Sequence, residues 1–131
     1  MARLTLDDIA DAGAYERERA TFLAEVIELK KARRIHVGPL VTFVFENSTT
    51  IRFQIQEMAR VERLYSDEAI AHELATYNPL IPEPGHLAAT MLIELTSDEE
   101  LRSWLPRLVG IETEVELRLA AGPDGTVGAE T

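Results

Sequence analysis

Four polar side chains in this sequence have the types and the spacing that could do chemistry. Successive helical residues step about 100° around the axis, which places Gln54 and Glu62 inside the apolar arc of a helix predicted at residues 50–64. Glu73 lies at the edge of the buried face of the next predicted helix, and His36 is the histidine that we expect to be enclosed. These oxygen and nitrogen donors suit a divalent cation, and Glu62 or Glu73 suits the role of a general base.

The same carboxylates also have a purely structural interpretation. A buried, ionised Glu62 needs a partner, because an unpaired buried charge is strongly unfavourable. An arginine, Tyr65 or Tyr77 could be that partner and would then fix how the two helices pack. The sequence contains no HExxH pair, phosphate-binding glycine loop or GxSxG elbow, so no catalytic motif decides between the two interpretations.

The inward direction of the helix at residues 50–64 depends on its apolar residues. The arc is formed by Ile51, Ile55, Met58, Val61 and Tyr65. On this wheel Gln56 faces water and Glu57 lies at the margin of the arc. In the helix that follows, His72 points away from the buried Leu74 and is expected to be solvated.

Composition excludes several classes of function. The chain has no cysteine, which rules out disulfides, thiolate zinc sites, cysteine-ligated iron–sulfur clusters and cysteine nucleophiles. The net charge is -10: residues 1–36 hold seven acids and seven bases, leaving sixteen of the 23 acids against six of the 13 bases downstream. Such a surface repels phosphate backbones, so we expect no nucleic-acid partner. No apolar run has the length of a membrane span, and no signal core is visible; we expect no membrane partner and a cytoplasmic location.

The elements that must position these residues follow from apolar periodicity. The order is helix, strand, two helices, strand, helix, strand, which predicts a single α+β domain over residues 1–131 with its core at about 4–119. A small, mainly antiparallel sheet of three to four strands is packed by a long N-terminal helix, a central helix pair and a further helix. The helices are expected at about 14–34, 50–64, 66–77 and between Ser97 and Gly110, the strands at 40–45, 87–96 and 111–119, and a turn with a frayed tail at 120–131.

Two charged stretches bear on self-association. In the predicted last strand, apolar residues alternate with Glu112, Glu114 and Glu116, so like charges share one face. A basic neighbour would relieve that repulsion, and the four bases of segment 30–34 could supply it from this chain or from a second copy. A solvated acidic face and a homodimer are both compatible with this pattern. For segment 30–34 itself, cations that complement a helix C-terminus are the alternative to an anion or acidic partner.

Four stretches of the sequence resemble a known family. "RIHVGPLVTFVFEN" (34–47), "FQIQEMARVERL" (53–64), "HELATYNPLIPEPGHLAATMLIEL" (72–95) and "LVGIE" (108–112) are similar to the uncharacterised bacterial family called domain of unknown function 3501. The resemblance implies no activity, cofactor or catalytic residue. Its members tend to be encoded beside rubrerythrin-like and iron–sulfur proteins, which implies a redox or peroxide-stress setting and a redox-protein partner. Many relatives continue into further strands, so a sheet edge could be open in this chain and pair with another copy.

Two functions of different classes follow. The first is a non-catalytic accessory or interaction module, either monomeric or homodimeric. The second is a metal-binding protein, or an enzyme that depends on a metal or a carboxylate, built on Gln54, Glu62, Glu73 and His36.

Overall fold

The computed structural model describes residues 3–121 and 127–130, and it describes the side chains of residues 3–117. The helices are α1 (Ala12–Arg33), α2 (Ser48–Glu62), α3 (Asp67–Tyr77) and α4 (Asp98–Trp104). The strands are β1 (Arg34–Val37), β2 (Val41–Phe45), β3 (Ala89–Ile93), β4 (Arg118–Ala121) and β5 (Val127–Glu130). Single 3-10 turns occur at Leu6–Asp8, Asn78–Leu80, Leu105–Arg107 and Ile111–Thr113.

Side-chain caps fix where the helices begin. The Asp11 side chain accepts a hydrogen bond from the backbone N–H of Ala14 at the start of α1, and Asn47 accepts one from Thr50 at the start of α2. Ser66 and Ser97 cap α3 and α4 in the same way. These bonds satisfy N–H groups that have no partner within the helix, so the cap residues set the boundaries.

Three strands form one antiparallel sheet in the order β1-β2-β3. β2 is the central strand, and its apolar run at residues 40–45 is typical of a strand covered on both faces. β1 was not predicted. It pairs with β2 across a tight turn in which Gly38 adopts a φ of 64°, a value that favours glycine.

The core lies on both sides of α2. Between α1 and α2, Tyr15, Phe22 and Val26 are buried against Phe53. Between α2 and α3 a second cluster is buried, consisting of Ile51, Ile55, Leu74 and Ile81. The α+β single-domain prediction is therefore confirmed, with the central helix pair packed as expected.

Two predictions near the C-terminus are wrong. Residues 111–117 do not form a strand: a 3-10 turn at Ile111–Thr113 is followed by irregular chain, and the next strand begins only at Arg118. The tail was expected to be frayed, yet β4 and β5 pair antiparallel. The predicted turn at 123–125 lies outside the described residues. Within the described chain, no helix is both long and apolar enough to cross a bilayer.

Candidate functional site

The structure does not place the predicted site residues of α2 in the core. Gln54 and Glu62 are exposed, and so are Val61 at 73% and Tyr65 at 69%, two residues that defined the predicted inward arc. The buried residues of this helix are Thr50, Ile51, Ile55, Gln56 and Ala59. Ile51 and Ile55 are buried as predicted, but the buried face extends from them toward Gln56 and Ala59 and not toward Val61 and Tyr65.

Gln56 is the polar residue that α2 turns inward. It is 2% exposed, and its amide holds both backbone groups of Ala10. Gln56 Oε1 accepts from the Ala10 N–H at 2.7 Å, and Gln56 Nε2 donates to the Ala10 carbonyl at 3.2 Å. The Gln56 side chain therefore satisfies both backbone groups of Ala10 and holds the segment that precedes α1 against α2.

The four predicted ligands are not brought together. Glu73 is half-buried on α3, while His36 is exposed on β1, where its Nδ1 lies 2.9 Å from Thr42 Oγ1. Across the described residues, no three His, Asp or Glu side chains are grouped closely enough to share a metal ion. His72 is exposed, as predicted.

A chain of hydrogen bonds orients His36. The buried Thr42 hydroxyl donates to Glu94 Oε1 at 3.2 Å. A hydroxyl has one proton to donate, so Thr42 accepts from His36 Nδ1–H. This arrangement fixes the imidazole on the same side of β1 as Arg34, two residues before it.

Charged residues join α1 to α2 around one buried hydroxyl. Arg19 pairs with Glu57 at 3.0 Å, and parallel pairs link Arg52 to Glu18 and Arg60 to Glu16 at 2.7 Å each. Beneath them Tyr15 is 2% exposed, and no described residue forms a hydrogen bond with its hydroxyl. Burial, followed by the nearby Glu57 carboxylate, raises the pKa of Tyr15 to about 12. The phenol is therefore neutral at pH 7, which suits packing.

The two faces of the three-stranded sheet differ in chemistry. Thr42 and Val44 are buried on the inner face, toward α1. The outer face is entirely apolar; its residues are Ile35, Val37, Val41, Phe43, Phe45, Ala89, Met91 and Ile93. Segment 111–117 lies across part of this face and encloses with it a cleft of about 630 Å³. Val37 remains 40% exposed and Leu87 64%, so the face is only partly covered.

β1 is an edge strand with opposite chemistry on its two sides. Ile35 and Val37 belong to the apolar outer face. Arg34 and His36 point to the other side, where they line a second cleft of about 470 Å³; its remaining lining residues are Ile27, Lys30 and Lys31 of α1. Along the edge of β1 that faces away from β2, no described strand forms backbone hydrogen bonds with it. The alternation Arg-Ile-His-Val ahead of Gly38-Pro39 is the signal that could have revealed this strand.

Comparison with known families identifies the chain. The model of a family described as "Protein of unknown function (DUF3501)" matches residues 3–130. The chain belongs to the DUF3501 family. The resemblance carried by the four sequence stretches is confirmed, and it extends from the first described residue to the end of β5.

A solved crystal structure has the same fold as this DUF3501 chain. A crystal structure of a protein of unknown function from Burkholderia pseudomallei superposes with a TM-score of 0.85 at 39% identity, covering 91% of this chain and 67% of the other. The comparison with curated proteins gives no match. The matching family and the matching crystal structure are both described as of unknown function.

Proposed function

We propose that this DUF3501 protein is a non-catalytic interaction module that accepts an extended segment of a protein partner as a fourth strand on β1. Addition of a strand to an open sheet edge is a common mode of peptide recognition, in which backbone hydrogen bonds supply affinity and alternate side chains supply specificity. The accepted segment would continue the order β1-β2-β3 by one strand.

The observation that carries the proposal is that the open edge strand β1 has apolar side chains on one sheet face and basic side chains on the other. An incoming strand has side chains that alternate between the two sheet faces. On the outer face they meet Ile35 and Val37, so the partner needs apolar residues there. On the inner face they meet Arg34 and His36, with Lys31 close by, so the partner needs acidic residues there. The edge therefore selects a segment in which apolar and acidic residues alternate.

The metal-dependent alternative has weaker support. Its four residues lie on different surfaces, with Gln54 and Glu62 exposed on α2, Glu73 on α3 and His36 bonded to Thr42 on the sheet. A site of this kind needs several ligands at one point. The geometry therefore favours the interaction module.

Site-specific photo-crosslinking in the host cell tests the proposal. A benzophenone amino acid at Val37, which is 40% exposed on β1, is expected to form a protein adduct on illumination. The same residue at Val61, which is 73% exposed on α2, is the matched control and is expected to form none. The mass of the adduct distinguishes a second copy from a redox protein. Equal crosslinking at both positions, or none at Val37, would contradict the proposal.

A further inference from the structure

Segment 111–117 has the composition that the edge of β1 selects. Its odd-numbered residues are Ile111, Thr113, Val115 and Leu117, and its even-numbered residues are Glu112, Glu114 and Glu116. This alternation is typical of a strand with one apolar and one acidic face. In the structure the segment pairs with none of the described strands. The segment therefore has the side-chain alternation of a strand, but none of the described strands is its partner.

The charges of the segment and of β1 are complementary. If the segment lay antiparallel to β1 with its apolar residues beside Ile35 and Val37, its glutamates would fall on the face that carries Arg34 and His36. Lys31 lines the same basic cleft, and its ion pair with Glu28, at 2.8 Å, is highly exposed. Opposite charges would then meet on one face and apolar side chains on the other.

Direct pairing of β1 with β1 of another copy lacks this complementarity. Two antiparallel edge strands related by a two-fold axis keep their faces, so Arg34 and His36 would lie beside their own counterparts. Like charges placed opposite each other are unfavourable, and charged residues at an edge oppose such pairing. A different strand of the second copy fits better.

We infer that two copies of this chain exchange their 111–117 segments, each segment adding to the β1 edge of the other copy. The inference rests on the proposed strand-accepting function and names its partner. The two contacts are equivalent by symmetry, as in a closed two-fold dimer. Within one copy the segment already lies over the outer face of its own sheet. On exchange it would leave that position and become a strand at the β1 edge of the other copy.

Charge reversal separates the two sides of the contact. One variant, Lys31→Glu with Arg34→Glu, makes the acceptor edge acidic; the other, Glu112→Arg with Glu114→Arg, makes the donor segment basic. In each variant alone, like charges face each other at both contacts of the dimer, and we expect its dissociation constant to rise about tenfold or more. In an equimolar mixture both contacts become complementary in the mixed dimer: reversed edge with reversed segment, and original edge with original segment.

Sedimentation velocity over a concentration series measures these outcomes. The original chain is expected to approach twice its 14.6 kDa mass. Each variant alone is expected to remain near the monomer mass, and the mixture to recover the dimer. The matched controls are Arg102→Glu and Glu25→Arg, at exposed sites on α4 and α1, which should leave the mass of the original chain unchanged.

Two results would overturn the second copy as partner. These are an original chain that stays monomeric throughout the series, and a mixture that dissociates as readily as its components. If either is found while Val37 still crosslinks to another protein in cells, the strand-accepting function stands and only this inference fails. Circular dichroism of each variant checks that the fold is intact.

Discussion

Gln56 joins the N-terminal segment to α2 through two hydrogen bonds to Ala10. Replacement by alanine leaves a part-buried N–H and carbonyl without partners, and removes a side chain that is 2% exposed. We expect Gln56→Ala to lower the free energy of unfolding by about 2–4 kcal/mol. Urea denaturation followed by circular dichroism measures the change.

The chain offers a close control for this prediction. Gln54 is the same residue type two positions earlier on α2 and is exposed. Gln54→Ala is expected to change stability by no more than about 0.5 kcal/mol. Equal effects of the two substitutions would contradict the inward direction of Gln56.

The Tyr15 hydroxyl makes stability depend on alkaline pH. Its pKa is about 12 in the folded chain against 10.0 as the ordinary value, so the folded state holds the phenolic proton more tightly than the unfolded state. The corresponding stabilisation is fully present below about pH 10 and is lost as the pH rises through 12. We expect the free energy of unfolding to fall by roughly 2–3 kcal/mol over that interval.

Tyr15→Phe isolates this contribution from the other groups that titrate at high pH. The variant is expected to show a shallower decline between pH 10 and 12, while Tyr65→Phe, at a 69% exposed position, keeps the original profile. A Tyr15→Phe profile that coincides with the original one would show that the phenol is not perturbed by burial.

At the scale of elements, local signals predicted most of the fold. The caps at Ser66 and Ser97 and the apolar run of β2 carry their information in a few adjacent residues. The inward face of α2 was mispredicted for a physical reason: Val61 and Tyr65 are apolar but lie at the end of the helix and beyond it, where no described element covers them. Apolar periodicity reports what could be buried, and tertiary packing on both sides of α2 decides what is.

Segment 111–117 shows the complementary case. Its alternation wrongly predicted a strand, because a strand needs a neighbour to satisfy its backbone groups, and sequence alone does not say whether one is present. The free edge of β1 went unrecognised because the strand is only four residues long. The candidate site therefore could not be predicted from the sequence, although both of its halves carry a visible pattern.

At the scale of the whole molecule, self-association would use a chain whose net charge is -10. Such a charge opposes contact between copies unless the local charges are complementary. Residues 1–36 are neutral overall and contain both the basic cleft and most of β1, whereas the acidic excess lies downstream and includes segment 111–117. The uneven distribution of charge thus favours contact between residues 1–36 of one copy and the acidic downstream part of another.

Cysteine trapping tests most directly the central claim that β1 accepts segment 111–117 of a second copy as a strand, because the chain has no cysteine of its own. Val37→Cys protein is mixed in turn with Thr113→Cys, Val115→Cys and Leu117→Cys protein and mildly oxidised, with Val61→Cys as the control. A disulfide needs Cβ atoms about 3.5–4.5 Å apart, and directly opposite residues on one sheet face, at about 4.5–5.5 Å, come closest to that distance. We predict that one of the three mixtures gives a disulfide-linked mixed dimer and the control gives none; failure of all three, or equal trapping by Val61→Cys, would contradict strand addition by a second copy at β1.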